Sequence, residues 1–253
     1  MASRPPFPGL PTDDRPPTGV NGDRLVLFDI DGTLLSAGRA ARESVLAAIE
    51  EVYGWRAEAD APRRGRYDFS GKTDPQIVRE LVLEEVGRER CEALLETVLS
   101  RYLGELERRL TPEAVVPKPG IPELLRRLSA EPRVTLGLLT GNVEAGARLK
   151  LEPPGFNEYF AFGAFGSDSA DRYQLPAVAV ARARRHSGRE FSGKSIVIVG
   201  DSVHDVACGR PLGVRSVAVA TGPTKAERLE AEKPDALLPD FSDVEAAIEA
   251  ILS

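Results

Sequence analysis

The run Arg24-Leu25-Val26-Leu27-Phe28 leads directly into Asp29-Ile30-Asp31-Gly32-Thr33, and no other junction constrains the fold so strongly. An uninterrupted apolar run of this length reads as a strand buried on both faces, the habit of parallel sheets covered by helices. Gly32 offers a sharp turn at its end. Asp29 and Asp31 would then emerge at the carboxyl end of a strand, where open α/β sheets bind ligands. Two like charges held that close require a shared proton or a divalent cation. One carboxylate can then act as a nucleophile while the other carries a proton.

The rest of the chain supports the same architecture. Residues 134–139, 195–199 and 216–220 are further apolar strand-like runs, and 160–165 reads as a short one. They alternate with helical patterns over 121–128, 143–151 and 176–186, from 203 onward, and over 244–252. Strand–helix alternation predicts an α/β fold, a Rossmann-like parallel sheet with helices on both faces. Between residues 37 and 116 the pattern is helical throughout. Val45, Ile49 and Val52 share one face of a first helix. Asp74-Pro75 looks like a cap followed by proline at the start of a second. Leu94, Leu95, Val98, Leu99, Tyr102 and Leu106 recur at helical spacing in a third, over 89–110. The expected organisation is therefore a core of residues 21–36 and 117–253, interrupted by an all-helical cap over 37–116. Residues 1–20, crowded with proline, glycine and polar groups, read as a disordered tail that cannot bury enough apolar surface to order itself.

Charge and cysteine content narrow the partners. With 33 basic and 39 acidic side chains the net charge is −6, which argues against a general nucleic-acid or membrane-surface binder. Cys91 and Cys208 are the only cysteines and stand far apart, so buried free thiols and a cytoplasmic setting are expected. No apolar stretch is long enough to span a membrane, and the amino terminus lacks a signal-peptide core. Nothing in the chain fixes an oligomeric state.

Asp29-Ile30-Asp31-Gly32-Thr33 resembles the first motif of the haloacid dehalogenase superfamily, an Asp-x-Asp-x-Thr pattern after the first strand. Thr140 in Leu138-Leu139-Thr140-Gly141-Asn142 resembles the second motif, and Gly200-Asp201-Ser202-Val203-His204-Asp205 the fourth. The order is that of the family, and the helical insert resembles the cap of the phosphoglycolate phosphatase and β-phosphoglucomutase branch. The resemblance implies a magnesium-dependent phosphatase that hydrolyses a small phosphorylated metabolite, of phosphoglycolate or sugar-phosphate type, through an aspartyl-phosphate. It implies Asp29 as nucleophile and Asp31 as general acid/base. The Mg2+ ligands would be Asp29, the backbone carbonyl of Asp31, and Asp201, with Asp205 supporting the site. Thr140, with the amides of Gly141 and Asn142, would hold the phosphate. For Thr140, Asp201 and Asp205 helix capping is the plain structural alternative, and capping can coexist with these roles.

The chain departs from the family at the third motif, which usually supplies a lysine. Asp168-Ser169-Ala170-Asp171-Arg172-Tyr173 occupies that interval without one. Arg172 is the positional substitute for binding phosphate, since a guanidinium can pair with carboxylate and phosphate together. Lys150, on the helix after Thr140, is the other candidate. In the cap, Gly71-Lys72-Thr73-Asp74 reads either as a substrate loop carrying Lys72 and Thr73 or as a polar loop in which Asp74 caps a helix. The two histidines, His186 and His204, have no required role, and His204 reads as a partly exposed helix residue. A phosphomutase or phosphonatase of the same superfamily, the latter using Lys72 for a Schiff base, remains open beside the phosphatase reading. So does a non-catalytic phosphate-sensing regulator.

Overall fold

The structure is a computed structural model that describes residues 22–54 and 67–253, so the tail expected over residues 1–20 lies outside the described residues. Strand β1 (Arg24–Phe28) pairs in parallel with β4 (Val134–Leu139) on one side and β6 (Ile196–Gly200) on the other. The parallel sheet continues outward to β5 (Gly163–Ala164) beside β4, and to β7 (Arg215–Val219) and β8 (Ala236–Leu238) beyond β6. Its order is β5-β4-β1-β6-β7-β8. A small antiparallel pair, β2 (Leu35–Ser36) and β3 (Val116–Pro117), joins the two places where the chain leaves and re-enters the sheet region.

Period-two alternation along β1 divides its side chains between two cores. Val26 and Phe28 join a cluster with Leu124, Leu125, Leu128 and Ile251, from α3 (Ile121–Ala130) and α8 (Val244–Leu252). Leu25 and Leu27 face the opposite way, toward Leu175, Ala179 and Ala183 of α5 (Leu175–Ser187). Both faces are therefore covered, which is why β1 reads as an unbroken apolar run rather than an alternating one. Gly120, at φ 79°, precedes α3 where a Cβ would lie 1.7 Å from the carbonyl oxygen of Phe241. Only glycine combines that backbone conformation with that approach.

Helix α1 (Ala40–Tyr53) packs on α2 (Asp74–Arg109) to form a further cluster that includes Val45, Ile49, Val78, Val98 and Tyr102. The faces expected from spacing pack against this cluster, with Val52 and Leu94 only partly buried. The two helices expected over residues 74–110 form one continuous segment broken at Gly87, whose φ of 74° and ψ of 162° interrupt the helix. The cap of α2 is Thr73 rather than Asp74: the Thr73 hydroxyl accepts from the Gln76 amide at 3.2 Å. Pro75 sits in the first turn, where its missing N–H costs nothing.

Alternation located the central strands closely, but β8, β2, β3 and α7 (Ala226–Ala231) were not expected. Each is too short for periodicity to rise above its surroundings. Cys91 and Cys208 are buried and unpaired, as their separation implied. No helix among the described residues is long and apolar enough to cross a membrane.

Candidate active site

Register sets the site. Phe28 stands opposite both Leu138 and Val199, so the residues that follow β1, β4 and β6 emerge within one residue of the same level. Those residues are Asp29, Thr140 and Asp201. From β1 the chain places β4 on one side and β6 on the other, making this edge the switch point where α/β sheets bind ligands. A cleft of about 430 Å³ opens there, between the strand ends and a wall contributed by α1, α2 and the loop before α2. That volume suits a small organic ligand.

Three carboxylates, from Asp29, Asp201 and Asp205, lie with oxygens within 4.8 Å of one another, and all three are buried. Burial, reinforced by the Asp205 charge, pushes Asp29 up to about 7 despite the nearby Arg172. Burial also holds Asp201 well above the usual carboxylate range, with the charges of Asp29 and Asp205 adding to it. Asp205 is already committed. Its Oδ2 accepts from the Ser202 amide at 2.9 Å and the Ser202 hydroxyl at 2.6 Å, and its Oδ1 accepts from Arg172. It therefore caps α6 (Val203–Cys208) and braces a cation at once. Among the described residues, Asp201 accepts a single side-chain bond, from the Thr33 hydroxyl at 3.1 Å. Asp29 and Asp201 are thus the pair left to face a cation.

Gly32 makes that pairing sterically feasible. A Cβ there would lie 2.6 Å from Asp201 Oδ2, and φ is 88°. The Gly32 carbonyl accepts from the Thr221 hydroxyl at 2.6 Å, tying the turn to the segment after β7. An all-oxygen donor set of buried carboxylates suits a hard cation such as magnesium better than a soft metal.

Both candidate cations reach the site, at different carboxylates. Arg172 is buried, and its Nη2 donates to Asp29 Oδ1 at 3.2 Å, to Asp205 Oδ1, and to the Leu139 carbonyl at 3.4 Å. Although burial opposes its charge, Asp205 and Asp29 hold it protonated beyond the ordinary guanidinium range. Its Nε is buried with no partner among the described residues. Lys150 is equally buried, but its Nζ donates to Asp31 Oδ2 at 2.6 Å and to Asn142 Oδ1 at 2.6 Å. A lysine on a helix is usually a solvated charge, and this one is not.

Thr140, Gly141 and Asn142 line the cleft. Asn142 donates to the Thr140 hydroxyl oxygen through its side chain at 2.8 Å and its backbone amide at 3.3 Å. That oxygen accepts twice, leaving its proton to donate elsewhere. The amides at the start of α4 (Glu144–Leu151) are not open: Asp74 Oδ2 accepts from Val143 at 2.8 Å, and the Ser167 hydroxyl from Glu144 at 3.2 Å.

In the loop before α2, Lys72 lines the cleft but is paired with Glu80 at 2.6 Å and with the Tyr67 hydroxyl at 3.1 Å. Thr73 is fully engaged in its capping role and in donating to the Ala170 carbonyl at 2.8 Å. His204 is half-buried on α6, against the edge of the Tyr173 ring.

Spacing alone assigned other cleft residues to structural roles. Tyr102 was read as part of an apolar helix face, yet its phenol lines the cleft with its hydroxyl unpartnered among the described residues. Burial, with the nearby charges of Asp74 and Asp31, raises its pKa well above the ordinary value, so it stays a hydroxyl donor. Asp74, expected to cap α2, instead caps α4 from across the cleft, and burial raises it to about 6 against the pull of Lys150. Lys118 also lines the cleft, donating to the Thr221 carbonyl at 2.6 Å. No periodicity carries these signals, because each depends on elements far apart in sequence.

A family model described as haloacid dehalogenase-like hydrolase matches residues 24–213. The chain belongs to that family. Among its relatives, the phosphoglycolate phosphatase of Agrobacterium fabrum is 26% identical over 225 residues, covering 88% of this chain and 91% of the relative. The phosphoglycolate phosphatase of Salmonella typhimurium is 25% identical over 240 residues, covering 89% and 92%. A solved haloacid dehalogenase-like family protein of Streptococcus pneumoniae superposes with a TM-score of 0.64 at 16% identity, covering 90% of this chain and 100% of that one, and so shares its fold.

Proposed function

We propose that this hydrolase is a magnesium-dependent phosphatase acting on a small phosphorylated metabolite through an aspartyl-phosphate. The observation that carries the reading is Asp29, buried at the end of β1, flanked by the Arg172 guanidinium and facing a cleft that also holds Asp31. The phosphoglycolate phosphatase names of the relatives at 25–26% identity point the same way. Residues 37–116 are proposed to act as a helical cap over a core formed by 21–36 and 117–253.

In this mechanism Asp29 attacks phosphorus while Asp31 gives its proton to the departing oxygen. Asp31 then takes a proton from water as that water attacks the phosphorus of the aspartyl-phosphate, releasing phosphate and restoring Asp29. Arg172 holds Asp29 in line and supplies positive charge beside it, and the Thr140 hydroxyl offers a donor to the phosphoryl oxygens. Asp29, Asp201 and the Asp31 carbonyl would hold the magnesium ion, which lowers the repulsion between the carboxylate and the phosphoryl group. The Lys72–Glu80 pair weighs against the phosphonatase alternative, since a Schiff base needs an unpaired neutral amine. Purified protein should release phosphate from 4-nitrophenyl phosphate with magnesium, and Asp29→Asn should abolish turnover while leaving the fold intact. Full activity in that variant would refute the reading.

A further inference from the structure

The buried ammonium of Lys150 makes two contacts that the proposed mechanism leaves unused. Lys150 stands in the last turn of α4, yet its side chain is only 2% exposed. Burying an ammonium is costly unless its charge and its donors are answered. Here Asp31 Oδ2 and Asn142 Oδ1 answer it, each at 2.6 Å. Asn142 closes the triangle by donating to the same Asp31 Oδ2 at 2.8 Å. It is itself tied to the Thr140 oxygen at 2.8 Å. Arg172, by contrast, is bonded to Asp29, Asp205 and the Leu139 carbonyl.

We infer that Lys150 is a positioning residue which, together with Asn142, clamps Asp31 Oδ2 so that proton transfer runs through Oδ1. The inference rests on the phosphatase reading above and adds a division of labour between two buried cations: Arg172 serves the nucleophile and Lys150 the proton carrier. The Asp31 side chain is 41% exposed, so without the clamp it would have several rotamers to choose from. With Oδ2 held by two donors, Oδ1 is the oxygen left to work. Its proton passes to the bridging oxygen as the phosphorus–oxygen bond to the leaving group breaks, and the alcohol departs neutral. In the second half Oδ1 accepts a proton from water as the water oxygen bonds to phosphorus and the bond to Asp29 breaks.

Leaving-group dependence separates this role from phosphate binding. A nitrophenolate leaves without protonation, whereas an ethoxide does not. The quantity kcat/KM reports the first phosphoryl transfer, the step that needs the proton. Lys150→Met should therefore lower kcat/KM on ethyl phosphate by ~100-fold, within the span typical of lost acid–base catalysis, but change that on 4-nitrophenyl phosphate by less than ~5-fold. Asn142→Ala keeps the backbone amide but also frees the Thr140 hydroxyl, so its kcat/KM should fall on both substrates and further on ethyl phosphate, and the double variant should be no more selective than either single one. If Lys150→Met does not fold, Asn142→Ala carries the test alone. Equal losses on aryl and alkyl phosphates in an active enzyme would overturn the clamp, assigning Lys150 to the phosphate or nucleophile instead. Undiminished kcat/KM on ethyl phosphate would overturn it as well. A wild type without phosphatase activity would sink the parent reading first, and this inference with it.

Discussion

At the scale of single residues, the site is governed by buried charges that must answer one another. Arg172 bridges Asp29 and Asp205 with all three side chains almost wholly buried. Removing one partner of such a group leaves uncompensated charge, so Arg172→Ala should lower unfolding stability by about 3–5 kcal/mol as well as turnover. Urea titration beside kinetics checks both; an unchanged midpoint would show that the bridge contributes nothing to folding. The acids have the opposite sign. Burial holds Asp29 at about 7 and Asp201 above the usual range in the metal-free protein. Acids raised in the folded state stabilise it at low pH and lose that contribution as pH rises through the folded value. Metal-free protein should therefore lose thermal stability between about pH 4, the unfolded value, and about 7, the folded value of Asp29. In the proposed function magnesium would have to displace those protons, so its affinity should rise across the same window. Calorimetric titrations below and above that window test this, and a flat affinity would remove these acids from the ligand set.

At the scale of elements, the most informative contact is Asp74, at the start of α2, capping α4 across the cleft. The Asp74 amide donates to the Gly141 carbonyl at 2.8 Å while its carboxylate accepts from Val143 at 2.8 Å. Two bonds thus join the helix that carries Tyr102 to the turn that carries Thr140. Burial raises Asp74 from 3.8 to about 6, so its contribution to stability fades as pH rises through that interval. Asp74→Asn keeps an acceptor for Val143 but carries no charge. Its thermal midpoint should vary less between pH 4 and about 6 than that of the wild type. Equal slopes in melts across that range would mean that Asp74 titrates at its ordinary value.

At the scale of the whole molecule, the loop before α2 meets the sheet region closely on one side of the cleft. A Cβ on Gly141 would lie 2.0 Å from the Lys72 carbonyl oxygen, and one on Gly71 would lie 2.5 Å from Ser202 Oγ. These approaches seat the loop before α2 on the edge of the sheet that carries Asp29 and Thr140. Gly141→Ala should push that loop away, raising KM while leaving the two hydrophobic clusters on either side intact. Kinetics and limited proteolysis of the 67–74 segment would register the change; unaltered KM would show that the loop does not help enclose substrate. Tyr102→Phe tests the same wall from α2. Losing a donor left unpartnered among the described residues should cost about 1 kcal/mol of binding, or roughly 5-fold in KM. No change would place the hydroxyl outside the substrate's reach.

Strand–helix alternation sufficed to determine the parallel core apart from its edge strand β8, because an apolar run buried on both faces leaves the same trace wherever it stands. The motif residues were legible for a related reason: Asp29, Thr140 and Asp201 each follow such a run directly, so locating the strand locates the side chain. Tertiary structure decided the rest. Arg172 and Lys150 could be told apart only once α4 and the turn at residues 172–174 were packed against the sheet, sending one cation to Asp29 and the other to Asp31. Asp74, Tyr102 and Lys118 became cleft residues by the same route. Periodicity records which face of an element is buried; what that face is buried against depends on contacts a hundred residues away.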